Sequence, residues 1–362
     1  MEIKPETKRI KIHMGYTCNS NCQFCYYSSM IHDLPLPTEI LRQEIILARK
    51  LGYYDIDFTG GEPTVFSDLQ KLISFAKEEG FKDIAIITNG IRLADNNYFS
   101  TLKNAGLNDV LFSVHGANAQ VHDYLTRVPG SFNKITTAMK NAEKLGVKIR
   151  TNITINTYNY KTLTEYAQLI SQYKVSAANF IFFNPWTTSN VELEKLTAKF
   201  SQAVPFLENA LDILDSKIPK ITIRYVPYCI ISEKYKNYIC DFKQRAYDPD
   251  EWAEPFSAFS ELVASKFSKS SNSVTQPKIP NINQLFYKFY IYNYIITLLR
   301  NLKTPQEIIK SLKSTQESYQ NAASLLFNIK KKECRSCAFF NDCDGIKTKY
   351  ATIFDTTEFK PI

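Results

Sequence analysis

From residue 10 to about residue 214 the chain alternates short apolar runs with longer amphipathic segments, and nothing else in it restricts the fold as much. Candidate strands are Ile10–His13, Tyr54–Phe58, Asp83–Thr88, Asp109–Val114, Lys148–Ile155 and Asn179–Phe183. Helix patterns lie between them. Thr38 and Ser67 are candidate N-caps, Gly80 follows Lys77-Glu78-Glu79, and Ser131 opens a helix that Gly146 closes. Six βα units in series predict parallel strands with right-handed crossovers, hence an α/β barrel or part of one. No short-period repeat is present beyond these units. In such a fold the chemistry belongs in loops after the carboxyl ends of the strands. Cys18–Cys25 follows the first strand, Gly60–Pro63 the second, Thr88–Gly90 the third and His115 the fourth. The order predicts one shared site.

The loop after the first strand reads Cys18-Asn-Ser-Asn-Cys22-Gln-Phe-Cys25. Three thiolates at this spacing can hold three corners of a cubane iron–sulfur cluster, which needs soft sulfur ligands. The fourth iron is then open to a small molecule. The alternative is a zinc knot, although structural zinc usually takes four ligands in paired Cys-x2–4-Cys spacings.

The eight cysteines fall in two groups, three early and five after residue 228. With no secretory signal at Met1-Glu2-Ile3-Lys4, this clustering predicts metal ligation in a reducing cytoplasm rather than disulfides. Two clusters, one with three thiolates and one with four, would lower the formal charge of +8 to about +5. That balance favours acidic partners without implying nucleic acid.

Taken together, the cysteine loop and Thr59-Gly60-Gly61-Glu62-Pro63 resemble the radical S-adenosylmethionine (SAM) superfamily over residues 10 to about 190. The resemblance implies a partial (βα)6 barrel over residues 1–215 and a C-terminal extension over 216–362. It also implies that SAM binds the open iron through its amino and carboxylate groups. One electron then splits the sulfonium into methionine and a 5′-deoxyadenosyl radical that abstracts hydrogen from a substrate. Cys18, Cys22 and Cys25 become the catalytic cluster ligands. Phe24 is expected against the adenine, with a core aromatic as the alternative. Gly60 and Gly61 would admit a ligand closely, and Glu62 would accept from the methionyl ammonium. Asn89 offers a donor and an acceptor, and Ser113 resembles the family's ribose-contacting serine. Arg127 matches its carboxylate-binding arginine, with a solvated surface arginine as the alternative. Asn152 could face SAM or substrate. His115 stands where the family often has an acid and reads equally as substrate contact or structural histidine.

Cys334-Arg-Ser-Cys337 and Cys343 have metal-ligand spacing near the chain end and resemble the twitch form of the SPASM-type auxiliary-cluster module. Cys229, after Val226-Pro227-Tyr228, is preferred over Cys240 as the fourth ligand. Five cysteines supply one auxiliary [4Fe–4S] cluster and not two; zinc is the alternative. Between these groups, residues 268–277 read as a loop. Leu285–Leu302 reads as a buried or half-buried aromatic helix covering the barrel mouth, marginal as a membrane span, with a peptide- or membrane-facing surface as the alternative, and Lys310–Lys332 as an amphipathic helix.

The expected function is radical SAM modification of a ribosomally made peptide by crosslink, thioether or epimerisation. The alternatives are a radical reaction on a small molecule, such as an amino acid or cofactor precursor, and a non-catalytic cluster-binding protein. About nine residues precede Ile10, so no leader-recognition domain is expected before it. A flavodoxin or ferredoxin is the expected electron donor. Neither a nucleic-acid partner nor a membrane span is expected.

Overall fold

The computed structural model describes residues 6–33, 35–185, 193–245, 248–267 and 328–362. Seven strands form one all-parallel sheet in sequence order: β1 (Arg9–His13), β2 (Asp55–Thr59), β3 (Asp83–Thr88), β4 (Asp109–Ser113), β5 (Lys148–Ile155), β6 (Val175–Phe182) and β7 (Lys220–Arg224). The sheet curls into a half-barrel. Its crossover helices are α1 (Thr38–Lys50), α2 (Leu69–Glu78), α3 (Asn96–Ala105), α4 (Ala119–Thr126), α5 (Ser131–Leu145) and α6 (Leu163–Ile170). The short α7 (Leu193–Leu196) and α8 (Phe200–Leu214) then lead into β7. The six expected strands are present, and β7 extends them. The expected features at 268–277 and 285–302 lie outside the described residues, as does most of 310–332.

Two caps differ from expectation. Pro37 precedes α1, so Thr38 is its first residue, and Asp68 rather than Ser67 caps α2. Thr38 Oγ1 donates to Asp68 Oδ2 at 2.7 Å, so the hydroxyl ties two helix starts together instead of capping its own. As expected, Ser131 opens α5 and Gly146 closes it.

Strand alternation divides the sheet into an apolar outside and a polar inside. Ile10, Ile12, Phe58, Ile86 and Phe112 are buried in the main core, against the helix layer. On the opposite face Arg9, Asp57, Asp109 and Arg150 meet at the amino-terminal end of the barrel. Arg9 reaches Asp57 at 2.7 Å, and Arg150 reaches Asp109 at 2.9 Å and Asp57 at 3.1 Å. Arg150 and Arg9 hold the Asp57 carboxyl below its usual range although burial opposes this. Trp252 Nε1 completes the floor by donating to Asp57 Oδ2 at 2.8 Å.

After β7 come α9 (Phe242–Arg245) and α10 (Glu254–Phe267), and α10 packs along the exposed edge of β1. Ser260 Oγ accepts from the His13 N–H at 2.8 Å, and Ser257 Oγ from Lys11 N–H at 3.4 Å. Two serine hydroxyls thus satisfy donors that a neighbouring strand would otherwise take. Near the chain end, β8 (Asn328–Ile329) pairs antiparallel with β9 (Ile346–Lys347), followed by α11 (Thr348–Ile353).

Candidate functional site

The cysteine loop crosses the carboxyl-end rim of the half-barrel and is tied to a different element at each stage. Gly61 N–H donates to Gly15 O at 2.8 Å and Glu62 N–H to Thr17 O at 2.9 Å, so the Gly-Gly-Glu turn after β2 runs against the loop's first residues. A Cβ on Gly60 would lie 2.3 Å from Gly15 O, and one on Gly61 2.0 Å from Thr17 O. Gly60 also has φ +128°. In this structure the two glycines are therefore demanded by the cysteine-loop backbone itself.

Glu62 is buried. Its Oε1 accepts from Thr64 N (3.0 Å), Thr64 Oγ1 (2.6 Å) and Thr88 Oγ1 (2.6 Å), and Oε2 accepts from Asn89 N at 2.7 Å. Burial raises its pKa while these donors pull it back. Oε2, with one donor, retains a lone pair for a cation. The Asn89 side chain has already found partners. Its Nδ2 donates to Asn19 Oδ1 (2.7 Å) and Ser20 Oγ (3.1 Å), and its Oδ1 accepts from Ile91 N. Asn89 thereby pins the stretch between Cys18 and Cys22. Further on, Gln23 N and Nε2 donate to Leu125 O and Tyr124 O at the end of α4, at 2.9 and 2.8 Å.

Phe24 is buried, edge-on to His115 at 4.5 Å, in a small apolar cluster with Leu125, Phe183 and Leu196. His115 is itself built into the fold. Its Nδ1 accepts from Thr154 N at 3.3 Å, its N–H donates to His122 Nδ1 at 3.1 Å, and burial followed by His122 lowers its pKa to about 3. Ser113 and Asn152 are register partners on β4 and β5. Asn152 Oδ1 is buried without a hydrogen-bond partner. Arg127 stands apart from these groups. It ends α4 in a left-handed conformation, φ +58°, exposed in a surface hollow of about 760 Å³ that Gln23 also lines.

The thiols of Cys18, Cys22 and Cys25 are half-buried and free. Burial, then the Glu62 charge, pushes the Cys18 thiol up to about 12. Burial, then its two neighbouring thiols, pushes Cys22 up further. Among the described residues, one group of three His, Cys, Asp or Glu brings its ligand atoms within 4.8 Å of one another, and it is Cys240, Asp248 and Glu251.

Cys229 feels the charges of Cys343, Cys334 and Cys337, and burial together with them pushes its thiol up to about 11. Tyr228 stacks on Phe339 at 4.7 Å and brings the two chain segments together. Cys240 is buried elsewhere, its Sγ 3.7 Å from Asp248 Oδ2, near Arg224 and Arg245.

Tyr26 and Tyr27, which sequence reasoning passed over, also anchor the loop. Tyr26 Oη donates to Asn184 O after β6 at 2.6 Å, and Tyr27 Oη donates to Glu261 on α10. Their position directly after Cys25 was the available signal.

Residues 12–170 match the Radical SAM superfamily, and the chain carries that domain, whose members are enzymes. GTP 3′,8-cyclase of Aquifex aeolicus is 27% identical over 198 residues, covering 53% of this chain and 61% of that protein. A probable GTP 3′,8-cyclase of Saccharolobus islandicus is 28% identical over 214 residues, covering 58% and 66%. The chain thus spans under two thirds of the length of these curated relatives. Among solved structures, Streptococcus suis SuiB bound to precursor peptide SuiA shares the fold, with a TM-score of 0.52 and 17% identity, over 60% of this chain and 49% of that one. No helix among the described residues is long and apolar enough to cross a membrane.

Proposed function

We propose that this chain reductively cleaves SAM at a [4Fe–4S] cluster held by Cys18, Cys22 and Cys25, and that the resulting radical takes a hydrogen atom from a ribosomally made peptide. One observation carries the first part. Three thiols, a lone pair on Glu62 Oε2 and the orphaned Asn152 Oδ1 all belong to the carboxyl-end rim of a polar-lined half-barrel. When bound, the cluster supplies one electron to the sulfonium, giving methionine and the 5′-deoxyadenosyl radical.

The chain's own residues bind and orient. Glu62 Oε2 receives the methionyl ammonium, while Thr64, Thr88 and Asn89 hold the carboxylate in place. Ser113 and Asn152, neighbours across the β4–β5 pair, would contact the ribose. Phe24, braced edge-on by His115, would pack against the adenine. Gly60 and Gly61 fix the separation between Glu62 and the thiolates by allowing the backbone crossing. Arg127 serves the carboxylate only if its side chain turns in from the hollow. Unchanged SAM affinity in Arg127→Ala would remove it from the set.

Cys229, Cys334, Cys337 and Cys343 are proposed to hold one auxiliary [4Fe–4S] cluster that takes an electron from the substrate radical or binds a substrate sulfur. A twitch-like module of this kind supports the peptide reading, and a flavodoxin or ferredoxin would supply the first electron. A small-molecule substrate is the second reading, favoured by the curated relatives, which bear the name of a GTP cyclase.

Anaerobic incubation with SAM and dithionite tests the chemistry. 5′-Deoxyadenosine should form, and none above a Cys18→Ala control would sink the reading. About eight irons per chain are expected for two cubane clusters, whereas about four with one zinc would refute the auxiliary one. Substrate class is tested by isotope transfer into 5′-deoxyadenosine from deuterated candidate peptides against deuterated nucleotides and amino acids.

A further inference from the structure

We propose that Glu261 on α10 is a positioning residue for the cysteine loop, latching its Cys25 end through Tyr27. The two ends of the loop are held in different ways. Near Cys18 the backbone is clamped by Gly61, Glu62 and Ile31, and Asn89 grips residues 19 and 20. Past Cys25 the ties to other elements run through the side chains of Tyr26 and Tyr27.

Tyr27 Oη donates to Glu261 Oε1, and the other oxygen of Glu261 lies 3.6 Å from Lys11 Nζ on β1. The rings of His13 and Tyr16 pack on Tyr27 at 5.3 and 4.9 Å, so the phenol is fixed in direction as well as bonded. Burial opposes the charge on Glu261, but Lys11, Tyr27 and His13 outweigh it and hold the carboxylate ionised. A charge-assisted hydrogen bond in such surroundings is stronger than a neutral one.

The other end of the latch is also built in. Ser260, next to Glu261, accepts from His13 N–H and donates to the buried Glu44 at 2.6 Å. Ala253 N–H, just before α10, donates to Arg9 O at 2.8 Å. α10 is thus registered on β1, and it transmits that register to the residue two positions after Cys25. The ligand set is completed by an element more than 200 residues further along the chain. The inference rests on the proposed cluster only for its consequence, the correct placing of Cys25 as a ligand.

The test uses the full chain without metal, so it does not depend on catalysis. Alkylation by N-ethylmaleimide is followed at Cys18, Cys22 and Cys25 by site-resolved mass spectrometry. Glu261→Ala and Tyr27→Phe should each raise the Cys25 rate about tenfold relative to Cys18, as expected when a hydrogen bond to a charged group is lost. The double variant should exceed neither single one, because both remove the same contact. Glu261→Gln, which keeps an acceptor for the phenol, should restore most of the protection. Equal acceleration at Cys18 and Cys25, additive effects or no acceleration would each overturn the proposal. Should Glu261→Ala fail to fold, Tyr27→Phe leaves the α10–β1 contacts intact and gives the same readout. Selective Cys25 exposure in a chain that never yields 5′-deoxyadenosine would support the latch and defeat the proposed function.

Discussion

The two cysteine sets use the same ligand chemistry in opposite settings. Cys18, Cys22 and Cys25 lie on one loop that the Gly-Gly-Glu turn, Asn89, α4, Asn184 and α10 hold from around the rim. Cys229 meets Cys334, Cys337 and Cys343 across more than 100 residues of chain, with a Tyr228–Phe339 stack and a hairpin of two-residue strands as local support. The first set is positioned by hydrogen bonds from the barrel and the elements packed on it. The second depends on bringing two distant segments together, a geometry that bound metal itself would reinforce.

The sharpest way to break this contrast is Gly61→Ala. Its methyl would collide with Thr17 O on two adjoining backbones that cannot both yield. A loss on the order of 4 kcal/mol in denaturant melts of the metal-free chain is expected, with the first cluster's iron lost. An intact melt would show that the crossing is looser than its hydrogen bonds indicate.

Glu44 probes the scaffold beneath the first set. It is fully buried, and burial pushes its carboxyl up to about 8 from 4.5, against the Ser260 hydrogen bond. Below pH 4.5 the group is neutral in both states. As the pH climbs from there toward 8, the unfolded chain ionises while the fold retains the proton. Stability should therefore fall by a few kcal/mol across that window and level off above it. Glu44→Gln should flatten the slope, as urea melts at several pH values would reveal. An unchanged slope would assign it to other groups.

The second set is sharpened by a pair of variants. Cys229→Ala should lower iron content by about four per chain, while Cys240→Ala should leave it unaltered, since Cys240 lies with Asp248 and not with the other thiols. The reverse result would exchange their roles. The smallest effect is expected from Phe339→Leu, which removes the Tyr228 stack at a cost of about 1 kcal/mol. It should slow iron loading of the second set and spare the first; equal slowing would show that the two sets are not independently supported.

The sheet was legible because its strands carry their own signal. Ile10, Ile12, Ile84 and Ile86 report an apolar face at period two, and the intervening segments report helices. The cysteine loop and the Gly-Gly-Glu turn were legible as well, since their spacing is local. Roles that depend on distant neighbours were not. Asn89 reads as a ligand-binding amide, yet its side chain is occupied by Asn19 and Ser20. Gly60 and Gly61 read as room for a ligand, yet the backbone they admit is that of residues 15–17. Thr38 has a capping residue's chemistry, but Asp68 claims its hydroxyl.

The sequence by itself determined the βα order and the placing of the cysteine loop and the Gly-Gly-Glu turn after the first two strands. Periodicity and ligand spacing are properties of neighbouring residues, and they need no knowledge of what lies opposite. Only the tertiary structure decided that α10 closes the edge of β1 and that Trp252 and a ring of Arg–Asp pairs seal the barrel floor. Those outcomes follow from pairing buried donors, acceptors and charges between segments far apart in the chain. Composition limits such pairings without choosing among them; burial makes the choice, because in a low-dielectric interior each unpaired group carries a cost.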